Sequence, residues 1–331
     1  MLSNDTEKQF AQLLEHIEEK KQLGVFQSKD SRRIFHGRGQ CYPGLEHIVI
    51  DYYSPVLWIV CFAEVEKSFL DLLCEQLKPL MVANDILALG VSYRYVHGAP
   101  SEWLYCADGF DAEETLFARR GELRFQIQLG GRQNSGFFLD MEPGRKWLEA
   151  HAKDKKVLNL FSYTCAFSVV AAAAGASEVV NVDMARGALK TGQKNHQFNH
   201  QLAEVANCKT RFLAENILKS WGRIRRPGPY GVLILDPPSF QKGSFVAKQD
   251  YAKLIRRIPQ LAEHGADILL CLNAPELGED FIDELIAQEC PECIKVARLK
   301  PSEDFPDTNS DQQLKLFHCR YEGQWQQDMR A

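Results

Sequence analysis

From about residue 152 the chain alternates strand-like and helix-like segments with few breaks, and this alternation constrains its fold more than any other feature. Strands are expected at 156–161, 178–182, 210–214, 230–235, 267–272, 294–299 and 314–320, where β-branched and aliphatic residues run together. Helical patterns fill most gaps, at 166–174, 185–199, 248–263 and 279–288. Such alternation means a mostly parallel sheet covered on both faces. The last two strands are joined by residues 300–313, which have no helical pattern. Parallel neighbours need a crossover, so this pair is expected to form an antiparallel hairpin. The expected class is α/β, with a seven-stranded, mostly parallel sheet ending in that hairpin.

The preceding residues have a different texture. An amphipathic helix is expected near the start, capped by Asp5 or Thr6, with Phe10, Leu13, Leu14 and Ile17 on one face. Residues 47–51 and 56–62 read as strands, 66–77 as a helix, and 84–135 as short strands broken by glycines. The expected division is a small α+β auxiliary domain at 1–125 and a larger domain at 126–331.

Composition narrows the function. The 331 residues carry a net charge of −5, against a basic coat for nucleic acid but not against one local basic groove. No apolar run approaches the roughly 20 residues that cross a bilayer, and the first residues lack a secretory pattern. No membrane association and a cytoplasmic location are expected. The ten cysteines are then expected as free thiols. Only Cys290 and Cys293 have metal-like spacing. His318 and Cys319 could complete a set on paper, but adjacent strand residues face opposite sides, so no metal site is expected.

Ligands of an open parallel sheet bind beyond the carboxyl ends of its strands. After the first strand comes Asn159-Leu-Phe161-Ser162-Tyr163-Thr164-Cys165-Ala166, without the glycine fingerprint of nicotinamide or flavin sites. Its small residues still let a ligand lie close. The second strand ends in Asp183, a carboxylate able to accept both hydroxyls of a ribose, or to cap the helix from Met184 onward. Asn216 follows the third strand, where its amide suits an adenine edge or a helix cap. The fourth ends in Asp236-Pro237-Pro238-Ser239-Phe240. The prolines remove two backbone donors and leave a rigid acceptor array beside an aromatic face, suited to a planar base.

Together these motifs resemble class I S-adenosylmethionine-dependent methyltransferases, and within them the bacterial 23S ribosomal RNA base methyltransferases acting on cytosine carbon-5 or guanine nitrogen-7. The resemblance rests on Gln133-Asn134-Ser135-Gly136-Phe137-Phe138-Leu139-Asp140 followed by Arg145, on residues 157–165, and on Asp236-Pro-Pro-Ser-Phe240, with a weaker echo at 35–45. It implies a Rossmann-like fold and S-adenosylmethionine as cofactor. It also implies that Phe161, Ser162, Tyr163, Thr164 and Ala166, with Asn159, surround the methionine part. Asp183 and Met184 would meet the ribose and Asn216 the adenine. Phe138, Asp140 and Arg145 would close the cofactor. Asp236, Pro237, Pro238 and Phe240 would carry the target base.

Departures from the family pattern matter as much. Cys165 stands where relatives have a loop glycine, so the loop is expected to avoid a left-handed conformation there. Asn134 replaces a lysine. The N-terminal RNA-binding domain of many relatives, of the PUA type, is expected to be missing. Relatives that methylate carbon-5 attack the ring with a cysteine after the fifth strand. Here that place falls at Ala274, and Cys271 reads as a packed, inert thiol. The expected reaction is therefore direct transfer to a ring nitrogen such as guanine nitrogen-7. The expected partner is RNA, ribosomal RNA or a ribosomal particle, reached through Arg32, Arg33, Arg38, Arg119, Arg120, Arg132 or Lys242. Tyr93 and Tyr95 suit base stacking or core packing equally. Arg223, Arg225 and Arg226 precede the fourth strand, at the wrong edge. A homodimer, a small-molecule or protein acceptor, and a binding module without turnover stay open.

Overall fold

The computed structural model describes residues 4–131, 134–241 and 243–326. The chain forms two compact units, Met1–Leu139 with Ser302–Thr308, and Asp140–Pro301 with Asn309–Ala331.

The first unit contains α1 (Asn4–Gln22), β1 (Arg32–His36), β2 (Ile48–Tyr53), β3 (Val56–Cys61), α2 (Lys67–Ala83), β4 (Ala88–Tyr93) and β5 (Ser101–Cys106), followed by a separate hairpin of β6 (Leu116–Arg120) and β7 (Leu123–Ile127). Its five-stranded sheet runs in chain order. It is antiparallel except that β3 and β4, joined through α2, are parallel. Apolar residues of α1 (Phe10, Leu13, Ile17) and α2 (Phe69, Leu70, Leu73, Leu77) share one core with the sheet. Asp5 and Thr6 fall inside α1, not at its cap. Residues 302–308 fold with this unit. A Cβ on Gly39 would stand 1.8 Å from the Pro306 carbonyl, so only glycine lets the two backbones meet. Asp304 binds both Lys20 and Arg32.

The second unit holds the alternating segment: α3 (Glu142–His151), β8 (Lys156–Leu160), α4 (Ala166–Ala173), β9 (Glu178–Asp183), α5 (Arg186–Phe198), α6 (Ala203–Asn207), β10 (Lys209–Ala214), α7 (Trp221–Arg225), β11 (Tyr230–Leu235), a two-residue hairpin of β12 (Phe240–Gln241) and β13 (Phe245–Val246), α8 (Ala247–Ile255), α9 (Ile258–Leu261), β14 (Ala262–Leu272), α10 (Glu279–Glu289), β15 (Cys293–Arg298) and β16 (Lys315–Tyr321). Strand order is β10-β9-β8-β11-β14-β16-β15. The first five strands are parallel, and β16 runs antiparallel to both neighbours. Strand order reverses between β8 and β11, which is where such a sheet opens a crevice. The central strands read as continuous apolar runs because both faces are covered, and β11 is buried along its whole length.

The expected helix at 248–263 is two helices, α8 and α9, with the strand beginning at Ala262. Pro259 in the first turn of α9 lacks the N–H that would continue α8. Among the described residues no helix is long and apolar enough to cross a membrane.

Candidate active site

The loops after β8, β9, β10 and β11 meet at one edge of the sheet, and the first is the most unusual. Phe161, Tyr163 and Cys165 have φ of 57°, 45° and 61°. Left-handed backbone costs an L-residue about 1–2 kcal/mol, so three alternating instances store strain in one turn. The structure overturns the expectation for Cys165, which is left-handed with its own side chain in place. Two contacts hold it. Its N–H donates to the Ser162 carbonyl at 2.7 Å. Its sulfur occupies space that Gly192 of α5 leaves open, since a Cβ there would lie 2.4 Å from Sγ. The same helix steadies Thr164, whose carbonyl accepts from Asn195 Nδ2 at 2.9 Å.

Asp183 ends β9 and ties two loops together. Its Oδ2 accepts the Tyr163 N–H at 2.8 Å and its Oδ1 the Ala185 N–H at 2.7 Å. It does not cap α5, whose N-cap position is Ala185. A carboxylate oxygen accepts more than one hydrogen bond, so both oxygens keep acceptor capacity. Asn216 occupies the N-cap position of a short 3-10 turn without a side-chain capping bond. Met184 beside Asp183 is exposed.

Asn159 is placed differently. Its amide is buried and donates to Asn181, which donates to Ser168, which meets His196 Nε2 at 2.8 Å. Burial lowers the His196 pKa to about 4, so this ring is neutral. The network lies beneath the loop, and of its members only Asn159 is expected from sequence to lie near a cofactor.

Asp236 follows β11. Desolvation, then the nearby Asp140 charge, raise its pKa to about 7, and the Cys271 thiol beside it acts in the opposite sense. Cys271 lies inside β14, fully buried, its thiol raised well above the ordinary value by burial and by Asp236. Its carbonyl accepts from the Tyr251 hydroxyl at 2.9 Å. Ala274, in the loop beyond, is also buried. Lys315 is fully buried and donates to the carbonyls of Ala274, Gln313 and Asp311, fastening that loop to the start of β16.

Pro237 is buried and Pro238 partly so. Phe240 is 67% exposed, held out on the β12–β13 hairpin, while Phe245 on the facing strand is buried against Phe161 at 5.2 Å between ring centroids. Phe161 and Phe245 thus connect the first loop to the hairpin that presents Phe240. Arg145 is buried in α3 with its Nε donating to Glu142. Phe138 belongs to the first unit and is exposed. Gln133, Arg132 and Lys242 lie outside the described residues.

The edge suits a nucleoside-bearing cofactor. Asp183 offers acceptors for hydroxyl donors. The buried Ser162 hydroxyl, beside Cys165, has no well-formed hydrogen bond within the protein. The backbone of residues 161–165 turns tightly through three left-handed residues.

In the first unit, Arg32 is paired with Asp304, and Arg33 with Asp51. Arg38 and Arg94 lie over the Phe62 ring at 4.2 and 5.3 Å. Tyr93 donates its hydroxyl to Glu102, and Tyr95 is exposed. Arg223 is paired with Glu215.

Residues 32–320 match the family described as S-adenosylmethionine-dependent methyltransferase. A ribosomal RNA large subunit methyltransferase of Deinococcus radiodurans is 29% identical over 246 residues, 73% of this chain and 58% of that protein. The chain therefore spans little more than half of that relative. Bacillus subtilis YwbD, described as a ribosomal RNA large subunit methyltransferase, is 28% identical over 300 residues, 85% of this chain and 72% of that protein. A Streptococcus mutans structure described as a SAM-dependent methyltransferase is 25% identical with a TM-score of 0.77, covering 97% of this chain and 82% of its own.

Proposed function

The chain belongs to the S-adenosylmethionine-dependent methyltransferase family, and from that premise we propose that it methylates a base of large-subunit ribosomal RNA, by direct transfer to a ring nitrogen such as guanine nitrogen-7. The observation that carries this reading is the contrast at the sheet edge between Phe240, which is exposed, and Cys271, which is buried. A base can stack on Phe240 beside the Asp236-Pro-Pro acceptors. Cys271 is closed off inside β14 with its proton held tightly, so it is a poor nucleophile. Transfer to a nitrogen lone pair needs no covalent step, only alignment and electrostatic matching.

The cofactor supplies an electrophilic methyl group. In this reading Asp183 accepts the ribose hydroxyls, Met184 lies along the sugar, and Asn216 meets the adenine edge. Phe161, Ser162, Tyr163, Thr164 and Ala166 enclose the methionine part. Asn159 acts from beneath, through the buried network that supports the loop. Asp140 and Arg145 close the cofactor from α3 and the turn before it. Asp236 accepts a hydrogen bond from an exocyclic amino group of the base, while Pro237 and Pro238 offer no competing donor.

Residues 1–125 serve as an auxiliary domain, with Arg38 and Arg94 flanking Phe62 as its RNA contact, and the unit Asp140–Pro301 with Asn309–Ala331 carries the methyl transfer. The substrate is an ordered RNA or ribosomal particle in the cytoplasm. A second reading, methyl transfer to a small molecule or protein, is favoured by the ion pairs that neutralise Arg32 and Arg33.

The experiment is transfer of labelled methyl from S-adenosylmethionine into RNA, ribosomal subunits, protein and small-molecule extract, beside Asp236→Ala. Label in RNA that is lost in the variant and falls steeply with salt supports the proposal. Label confined to protein or small molecules moves the function to the second reading.

A further inference from the structure

His151, Asp267 and His318 converge away from the methyl-transfer edge. Their ligand atoms all lie within 4.8 Å of one another. Antiparallel pairing sets Asp267 opposite Arg320 and Leu269 opposite His318, so all four side chains share one sheet face. The α3 helix lies on that face, its Gly144 packed toward Leu269, and this brings His151 in its last turn to the cluster.

We propose that these three side chains form a site for a divalent transition metal, and that Zn²⁺ is its ligand. Two imidazoles and a carboxylate are the donor set Zn²⁺ takes, with an open fourth position for water.

The hydrogen bonding already suits this. His151 Nδ1 lies 2.7 Å from the Trp147 carbonyl, which can only accept, so Nδ1 is the donor and Nε2 is the nitrogen left to bind a metal. Trp147 stacks on this ring at 4.6 Å and meets His318 at 5.2 Å, which limits the orientations of both. His318 Nε2 stands 2.9 Å from Asp267 Oδ1, with one proton between them. The metal replaces that proton, which leaves to solvent, and each atom becomes a ligand.

Tetrahedral zinc separates its nitrogen and oxygen ligands by roughly 3.3 Å. The Asp267–His318 pair is near this spacing, so only the partly exposed His151 must close in. The negative end of the α3 dipole also favours a cation beside His151. Arg320 is the opposing charge, 3.6 Å from Asp267, but its side chain is 51% exposed and can turn to water. Asp267 stands five residues before the end of β14, roughly 16 Å from the ligand edge. The site thus joins α3 to the sheet without entering the transfer chemistry.

The test uses untagged, chelator-treated full-length protein titrated with Zn²⁺ by calorimetry, with Co²⁺ absorption as a second probe. Variants are His151→Ala, His318→Gln and, because Cys106 is an exposed thiol, Cys106→Ser. One equivalent of Zn²⁺ with proton release, a tetrahedral Co²⁺ spectrum without thiolate bands, and a rise in thermal midpoint of about 5–10 °C at a hundredfold excess over Kd are expected. Each should vanish in both histidine variants and persist in Cys106→Ser. Unchanged S-adenosylmethionine affinity in the histidine variants verifies that they are folded. No binding by wild type, binding that survives both histidine changes, or binding lost in Cys106→Ser overturns the proposal.

Discussion

The backbone N–H of Tyr163 donates to Oδ2 of Asp183 across 2.8 Å, joining a left-handed residue of the first ligand loop to the carboxylate that ends β9. One side chain thereby holds the loop in its strained shape and still presents acceptors to a ligand. Asp183→Ala removes both functions. A hydrogen bond to a charged group is worth about 2 kcal/mol, so S-adenosylmethionine affinity should fall roughly 30-fold. Calorimetry measures this, and an unchanged affinity would remove Asp183 from the cofactor site.

The fit between Cys165 and Gly192 predicts a coupled pair. Gly192→Ala places a Cβ 2.4 Å from the buried Cys165 sulfur. Overpacking of this kind costs about 1–3 kcal/mol. Adding Cys165→Gly removes the obstructing sulfur and suits a left-handed residue, so the double variant should regain much of the loss. Denaturant midpoints of the four proteins measure the coupling, and simple additivity would contradict the packing described.

Asp236 and His196 should give opposing pH dependences in one window. Asp236 has its folded pKa raised from 3.8 to about 7, so its stabilising contribution is full below 3.8 and is lost as pH rises through 7. His196 has its folded pKa lowered from 6.5 to about 4, so its contribution is present above 6.5 and is lost as pH falls toward 4. Asp236→Asn should therefore steepen the gain in thermal midpoint between pH 4 and 7 relative to wild type. Parallel pH curves for the two proteins would mean Asp236 does not titrate near neutrality.

Phe240→Ala tests the base-holding role separately. The ring is exposed, so the fold and cofactor affinity should be unchanged. Stacking on an aromatic face is worth about 1–3 kcal/mol per base. Methyl transfer to RNA should thus fall roughly 5- to 150-fold at subsaturating RNA. A variant that loses cofactor binding instead would place Phe240 in the wrong half of the site.

The seven strands and their closing hairpin were legible because periodicity and connection length are local signals. That Asp183 ends β9 and that Asp236–Phe240 follow β11 was legible from the same strand pattern. The left-handed turn was not. Glycine is the usual sign of such a turn, and here a cysteine is accommodated by a glycine 27 positions later. The parallel β3–β4 pair is not legible in the sequence, because each strand is short and nothing local marks α2 as a crossover. The passage of residues 302–308 into the first unit depends on the Gly39–Pro306 approach and on Asp304 meeting Lys20 and Arg32, contacts far apart in sequence. Asn195, Phe245 and Lys315 hold the loops at this edge through buried contacts, and residue type alone gives no sign of that.

The most direct test is nucleoside mass spectrometry of large-subunit ribosomal RNA methylated in vitro by wild type and by Cys271→Ser. The account predicts a methyl group on a ring nitrogen, with guanine nitrogen-7 the leading candidate, and retained activity in the variant. Methyl on cytosine carbon-5, with activity abolished in Cys271→Ser, would show that the buried thiol is the nucleophile and would contradict direct transfer.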